Sequence, residues 1–223
     1  MSTPPDGASR SAAPLTVTIV GAGPVGAALG TNLLRHGHQV RYAVRQQNTT
    51  VPAGATTVPV DGSANGWDLT ILTVPFAAVG EVVPTLGLQA GDVLIDATNP
   101  FEAQVPDGHL SGAEYVQQLA GDGVHVVKTF NVLGVEHMVD PALPGGDAPV
   151  LPVVTDDDEV RSRVVDLARE MGFDAVPAGG LPNAATTEAA ALYWGLLAMT
   201  AGLGRDMALV ARRRAGDDED PRP

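Results

Sequence analysis

Apolar positions along this chain follow two alternating periods. Short runs rich in Val, Ile, Leu and Thr occur at Leu15–Val20, Gln39–Val44, Thr56–Val60, Asp68–Val74, Asp92–Ala97 and Val124–Phe130, and each predicts a β-strand. Between them, apolar residues recur at helical spacing. Val25, Leu29 and Leu33 mark a helix over Pro24–His36, with Gly37 just past its end. Further helices are predicted over Phe76–Leu86 and Ala113–Leu119. Strands alternating with helices imply an α/β fold with a mostly parallel sheet. The near-continuous apolar character of Leu15–Val20 suits a strand buried on both faces.

A later unit repeats the pattern. Strand Val150–Val154 leads into a helix over Asp156–Met171, and strand Asp174–Pro177 is expected to complete the sheet. The helix carries an apolar stripe of Val160, Val164, Leu167 and Met171. Thr155 is its expected cap, Asp156 to Glu159 favour its positive end, and Gly172 stops it. A last long helix is expected from Ala185 to Arg214. Ala189, Ala190, Leu192, Tyr193, Trp194, Leu196, Leu197, Met199 and Leu203 cover most of its circumference. A helix apolar all round is buried all round, and one sheet covers only one face. The expectation is a homodimer through this helix.

The chemistry starts at the first strand-to-helix turn, Gly21-Ala22-Gly23-Pro24-Val25-Gly26. A Gly-x-Gly-x-x-Gly alone is a weak signal. Here it closes a buried strand and opens an amphipathic helix, the context that a dinucleotide-binding loop requires. The first glycine allows the tight turn, the second lets backbone approach a pyrophosphate, and the third lets helix pack on strand. The fold class is therefore α/β, a Rossmann-type doubly wound sheet with a small C-terminal helical extension. Residues 1–14 read as a disordered extension and 15–180 as the nucleotide-binding domain. Residues 181–215 read as a helical acceptor-site and dimerisation segment, and 216–223 as a disordered acidic tail.

The second strand indicates which nucleotide. NAD-binding units usually carry Asp or Glu at its end to bond the ribose 2′-hydroxyl. This chain has Val44-Arg45-Gln46-Gln47 and no acid. Arg45 suits a 2′-phosphate, which its planar fork meets with two hydrogen bonds, so the cofactor is read as NADP(H). Arg41 is a second candidate. Beyond the carboxyl ends of the later strands lie Thr73-Val74-Pro75, Asp96-Ala97-Thr98-Asn99-Pro100 and Lys128-Thr129-Phe130-Asn131-Val132-Leu133-Gly134. Thr73, Thr98 and Asn99 are candidates to hydrogen-bond ribose, pyrophosphate or carboxamide. Lys128 and His125 sit inside a predicted strand and are read as pointing to its polar face. His137 is better placed to donate a proton. No residue is assigned a catalytic role, and no metal-ligand spacing is present.

Composition narrows the classes. The 223 residues carry a net charge of −13 and no evident basic patch, which argues against a nucleic-acid partner. The absence of cysteine excludes disulfides, thiolate metal sites and a cysteine nucleophile. The first 14 residues lack the apolar run of a secretory signal, and a cytoplasmic protein is expected. The longest uncharged apolar stretch, Ala189–Gly204, is shorter than the roughly 20 residues of a membrane span.

Taken in order, the glycine loop, Arg45, Thr73-Val74-Pro75, Asp96 to Pro100, Ser111-Gly112-Ala113-Glu114 and Val127 to Asn131 resemble NADPH-dependent reductases of the deazaflavin coenzyme F-420. Met171 to Asp174, Gly180 to Ala184 and Glu188 to Leu197 are also similar. The resemblance implies direct hydride transfer between nicotinamide and a flat deazaflavin. That ring would lie near Asn131, Val132, Leu133 and Gly134, with Leu196, Met199 and Leu203 as walls. The family sets NADP selectivity with a hydroxyl residue plus arginine after the second strand, and Val44 departs from it at the hydroxyl position. Two other readings stay open. One is an NADPH-dependent reductase of a small imine or carbonyl, with His137 or Tyr193 as proton donor. The other is a non-catalytic NADP(H)-sensing module.

Overall fold

The computed structural model describes residues 13–101 and 104–212. Arg213, Arg214 and the acidic tail lie outside the described residues, as do residues 1–12. Strands β1 (Thr16–Val20), β2 (Gln39–Ala43), β3 (Thr56–Val58), β4 (Leu69–Leu72), β5 (Val93–Asp96) and β6 (His125–Lys128) form one parallel sheet. Its order is β3-β2-β1-β4-β5-β6, the doubly wound Rossmann arrangement.

Register explains why the central strands are apolar on both sides. Ile19, Ile71, Ile95 and Val127 stand in one row across four strands. With Leu29 and Leu33 of α1 (Pro24–Arg35) and Val164 and Leu167 of α5 (Asp158–Glu170), they form one core. The alternate residues Leu94 and Val126 face the other way. There they join Val79 of α2 (Val79–Val82) and Val116 of α3 (Gly112–Ala120). Each such buried side chain contributes about 1.5–3 kcal/mol of transfer free energy.

Several expectations are corrected. The segment predicted as one helix over Phe76–Leu86 is a 3-10 turn (Phe76–Ala78), the short α2 and a second 3-10 turn (Val83–Thr85). Pro84 has no N–H to continue an α-helical ladder. A helix that was not anticipated, α4 (Glu136–Val139), packs on α1. Helix α5 is capped by Asp157, whose carboxylate accepts from the Val160 amide at 2.8 Å, and not by Thr155.

Strands β7 (Val150–Val153) and β8 (Asp174–Pro177) do not complete the main sheet. They pair with each other in a separate parallel ribbon. A single antiparallel bridge, Lys128 to Val154, ties them to β6. Just beyond β6, Phe130 adopts φ 59°. That left-handed backbone turns the chain out of the sheet, and a buried edge contact with Phe173 holds it.

The last helix is shorter than expected. Helix α6 (Ala184–Gly195) runs into a π turn (Leu196–Thr200) and stops. Gly202 and Gly204 then take positive φ, which ends helical geometry. Within a single chain the helix is covered on one face only. Ala191, Trp194 and Ala198 are buried, while Leu192, Tyr193, Leu196, Met199 and Leu203 are exposed.

Candidate functional site

An open cleft of about 860 Å³ lies at the carboxyl ends of β1, β2 and β4. Its volume falls within the usual range for a cofactor site, about 300–1,000 Å³. Gly21, Gly23, Val44, Arg45, Thr73, Val74 and Pro75 all line it, as do Gln46, Thr49 and Glu81, which the sequence did not single out. Pro24, Val25 and Gly26 form the first turn of α1 next to it.

The loop is built for close approach. Gly21 has φ 101°, and its amide donates to the Ala43 carbonyl at 3.1 Å, joining the ends of β1 and β2. A Cβ on Gly26 would stand 2.7 Å from the Thr73 hydroxyl and closer still to the Gly21 carbonyl, so no side chain fits. Above Gly23 the space is empty, and this residue starts α1 without a side-chain cap. The first free amides of the helix therefore face the cleft mouth, where positive potential favours an anion. Tyr42 braces this turn from below: its hydroxyl donates to the Gly26 carbonyl at 2.9 Å. Burial pushes its pKa up to about 12, so the hydroxyl keeps its proton.

At the far end of the cleft, Val44 is buried as part of the main core, while Arg45 is exposed. Among the described residues Arg45 makes no ion pair. Arg41, the second candidate, is committed elsewhere. It donates to the Thr18 hydroxyl and to the Ser63 and Asn65 carbonyls, and it lies 4.1 Å over the Trp67 ring. Burial lowers its pKa.

The other proposed ligand contacts are largely used internally. The Thr73 hydroxyl has the Val20 and Gly21 carbonyls as acceptors, both at 3.0 Å. The Thr98 hydroxyl donates to Asp96 at 2.7 Å. Asn99 and Asn131 bond reciprocally: the Asn99 amide donates to the Asn131 backbone carbonyl, and the Asn131 amide to Asn99 Oδ1. Asn131, Val132, Leu133 and Gly134 are buried and do not line the open cleft. Trp194 and the Arg205 carbonyl sit against Gly134, and the Trp194 indole donates to the Met207 carbonyl at 3.0 Å. The chain after α6 thus closes over this segment. Met199 and Leu203 point outward instead of walling it.

The largest departure from expectation is Lys128. It is fully buried and does not lie on a solvated strand face. Its ammonium stands 2.9 Å from Asp96 Oδ2, 3.0 Å from Glu188 Oε1 and 2.6 Å from the Thr98 carbonyl. Asp96 is its register partner on β5. Glu188 arrives from α6 and also accepts the Gly112 and Ala113 amides at the N-terminus of α3, at 3.0 and 3.2 Å. One charged network therefore holds the last helix against the strand ends. His137, the candidate proton donor, is buried in α4. His125 is half-buried and pairs with Asp157 at 3.5 Å. Among the described residues no cluster of acidic or histidine side chains is placed to hold a metal, and no helix is long and apolar enough to cross a membrane.

Comparison with known proteins agrees with this geometry. Residues 16–100 match the family described as NADP oxidoreductase, coenzyme F420-dependent. The rat metalloreductase STEAP3 is 27% identical over 176 residues, which cover 78% of this chain but 36% of the rat protein. The chain thus spans about a third of that relative. Among solved structures, a candidate F420-dependent NADP reductase of Arthrobacter sp. FB24 superposes with TM-score 0.79. It is 22% identical over 89% of this chain and 100% of that one. A reductive aminase of Aspergillus terreus, solved with NADPH and ethyl levulinate, superposes at 0.62. It is 21% identical over 85% of this chain and 63% of that one. The resemblance read from the ordered motifs is borne out where they begin: residues 16–100 match the coenzyme F420-dependent NADP oxidoreductase family, on a Rossmann fold.

Proposed function

We propose that this protein binds NADP(H) in the cleft and exchanges hydride with a flat electron acceptor, the deazaflavin coenzyme F-420 being the favoured one. The observation that carries the reading is the cleft itself. The empty space over Gly23 and the uncapped start of α1 meet the pyrophosphate at one end. At the other, β2 ends in an exposed Arg45 with no acid beside it. The residues fit the cofactor, which when bound supplies the hydride. The protein's part is to hold it. Loop amides neutralise the pyrophosphate, Arg45 meets the 2′-phosphate, and Val74, Pro75, Ala78 and Val82 offer the adenine an apolar wall.

An acceptor that takes hydride without a paired proton relay suits this architecture. His137 is buried and Tyr193 is exposed, and neither lines the cleft where an imine or carbonyl reductase would need its proton donor. The exposed apolar residues Leu192, Tyr193, Leu196, Met199 and Leu203 are proposed to meet a second copy of the chain.

The test is oxidation of NADPH by purified protein with coenzyme F-420, FMN or FAD. Loss of NADPH absorbance only with the deazaflavin supports the proposal. No turnover with any of the three refutes it, and tight NADPH binding without hydride exchange favours a sensing module.

A further inference from the structure

The cleft continues past Arg45 into a turn whose side chains the motif did not include. Gln46 and Thr49 line it together with Arg45. Thr49 is half-buried, and its hydroxyl donates to the Gln46 carbonyl at 2.6 Å. That carbonyl also accepts the Thr49 amide, at 3.0 Å. The turn is therefore closed twice on one oxygen. If the hydroxyl rotates away, the Gln46 carbonyl keeps its backbone donor and nothing is orphaned. The next residues are tied separately: the Thr57 hydroxyl donates to the Gln47 carbonyl, and the Gln47 side-chain amide to the Val44 carbonyl, both at 3.3 Å. The turn thus has supports that do not involve the Thr49 hydroxyl.

Val44, immediately before Arg45, is buried and has no hydrogen-bonding side chain. A phosphate held by Arg45 alone has unfilled acceptor sites on its oxygens, since two hydrogen bonds from one guanidinium leave the remaining oxygens to other donors. The carboxylate that lines the cleft, Glu81, comes from the other wall, on α2.

We infer that Thr49 is a specificity-determining residue for the 2′-phosphate of NADP(H), its hydroxyl turning from the Gln46 carbonyl to donate to the phosphate beside Arg45. This rests on the NADP(H) reading above. Arg45 supplies charge, and Thr49 supplies a neutral donor in the position that Val44 leaves unfilled. The nicotinamide end is untouched, so the effect is confined to the phosphate.

The experiment measures dissociation constants by calorimetry for NADPH, NADH, adenosine 2′,5′-bisphosphate and AMP. The proteins are the wild type, Thr49→Val, Thr49→Ser and Arg45→Gln. Losing one hydrogen bond to a charged group weakens binding about tenfold. Thr49→Val is expected to weaken NADPH and the bisphosphate by that factor while leaving NADH and AMP unchanged, and Thr49→Ser to retain wild-type affinity. No loss in Thr49→Val, or an equal loss for phosphorylated and unphosphorylated ligands, overturns the assignment. A wild type that binds NADPH no tighter than NADH, or binds neither, overturns the NADP(H) reading and the Thr49 assignment with it.

Discussion

Replacing Lys128 by methionine tests the buried network most directly. Methionine fills nearly the same volume but removes the cation from between Asp96, Glu188 and the Thr98 carbonyl. Breaking a buried ion pair by deleting one partner costs about 3–5 kcal/mol, because a charge is left uncompensated. An orphaned carbonyl adds about 1–3 kcal/mol. Both carboxylates keep other donors, which lowers the total. Asp96 retains the Thr98 amide and hydroxyl, and Glu188 retains the Gly112 and Ala113 amides. A net loss of about 4 kcal/mol follows. For a protein of this length that is a fall in Tm of about 8–16 °C. Urea denaturation and differential scanning calorimetry read both quantities. Adding Glu188→Gln to Lys128→Met is expected to recover part of the loss, since it removes one unpaired charge while the amide oxygen keeps one of the two α3 amide donors. A loss below about 1 kcal/mol for Lys128→Met, or a further loss in the double variant, would refute the account of a charge network holding α6.

Three other outcomes are expected. In Gly26→Ala the new methyl clashes with the Gly21 carbonyl and the Thr73 hydroxyl, so α1 shifts from the loop; overpacking of about 1–3 kcal/mol translates into NADPH binding weakened tenfold or more, with circular dichroism unchanged. His38 is buried, and its Nδ1 accepts from the Leu15 amide at 3.1 Å. Burial lowers its pKa, Glu170 at 3.8 Å partly opposes this, and His36 adds to it. The unfolded chain therefore takes up the proton first. The stability contribution of neutral His38 is full above its unfolded value, about 6.5, and is lost as pH falls from there through the lower folded value. Urea midpoints of wild type and His38→Asn should converge on acidification through this window, and a gap that widens instead would contradict it. Leu196→Glu places a charge in the exposed apolar face, and light scattering should show a dimeric wild type and a monomeric variant.

The sequence alone determined what local physics controls. Three glycines between an apolar strand and an amphipathic helix specify the nucleotide loop, because φ at Gly21 and the contact at Gly26 depend on neighbouring backbone. The two-faced burial of β1 was legible from its apolar run. So was the lack of an acid after β2, where Arg45 lines the cleft.

Tertiary structure decided the rest. Lys128, the one lysine of the chain, reads as the polar end of a strand. It is buried only because Glu188 returns to it from sixty residues downstream, and no periodicity encodes that meeting. Asp174–Pro177 has every local mark of a sheet strand, but it pairs with β7 in a separate ribbon, and local pattern does not choose a strand's partner. Thr98 and Asn99 carry ligand-binding chemistry, yet their hydrogen bonds are taken by Asp96 and Asn131. Hydrogen-bonding capacity belongs to the residue type. Whether it is free for a ligand depends on the partners that folding brings within about 3 Å of it.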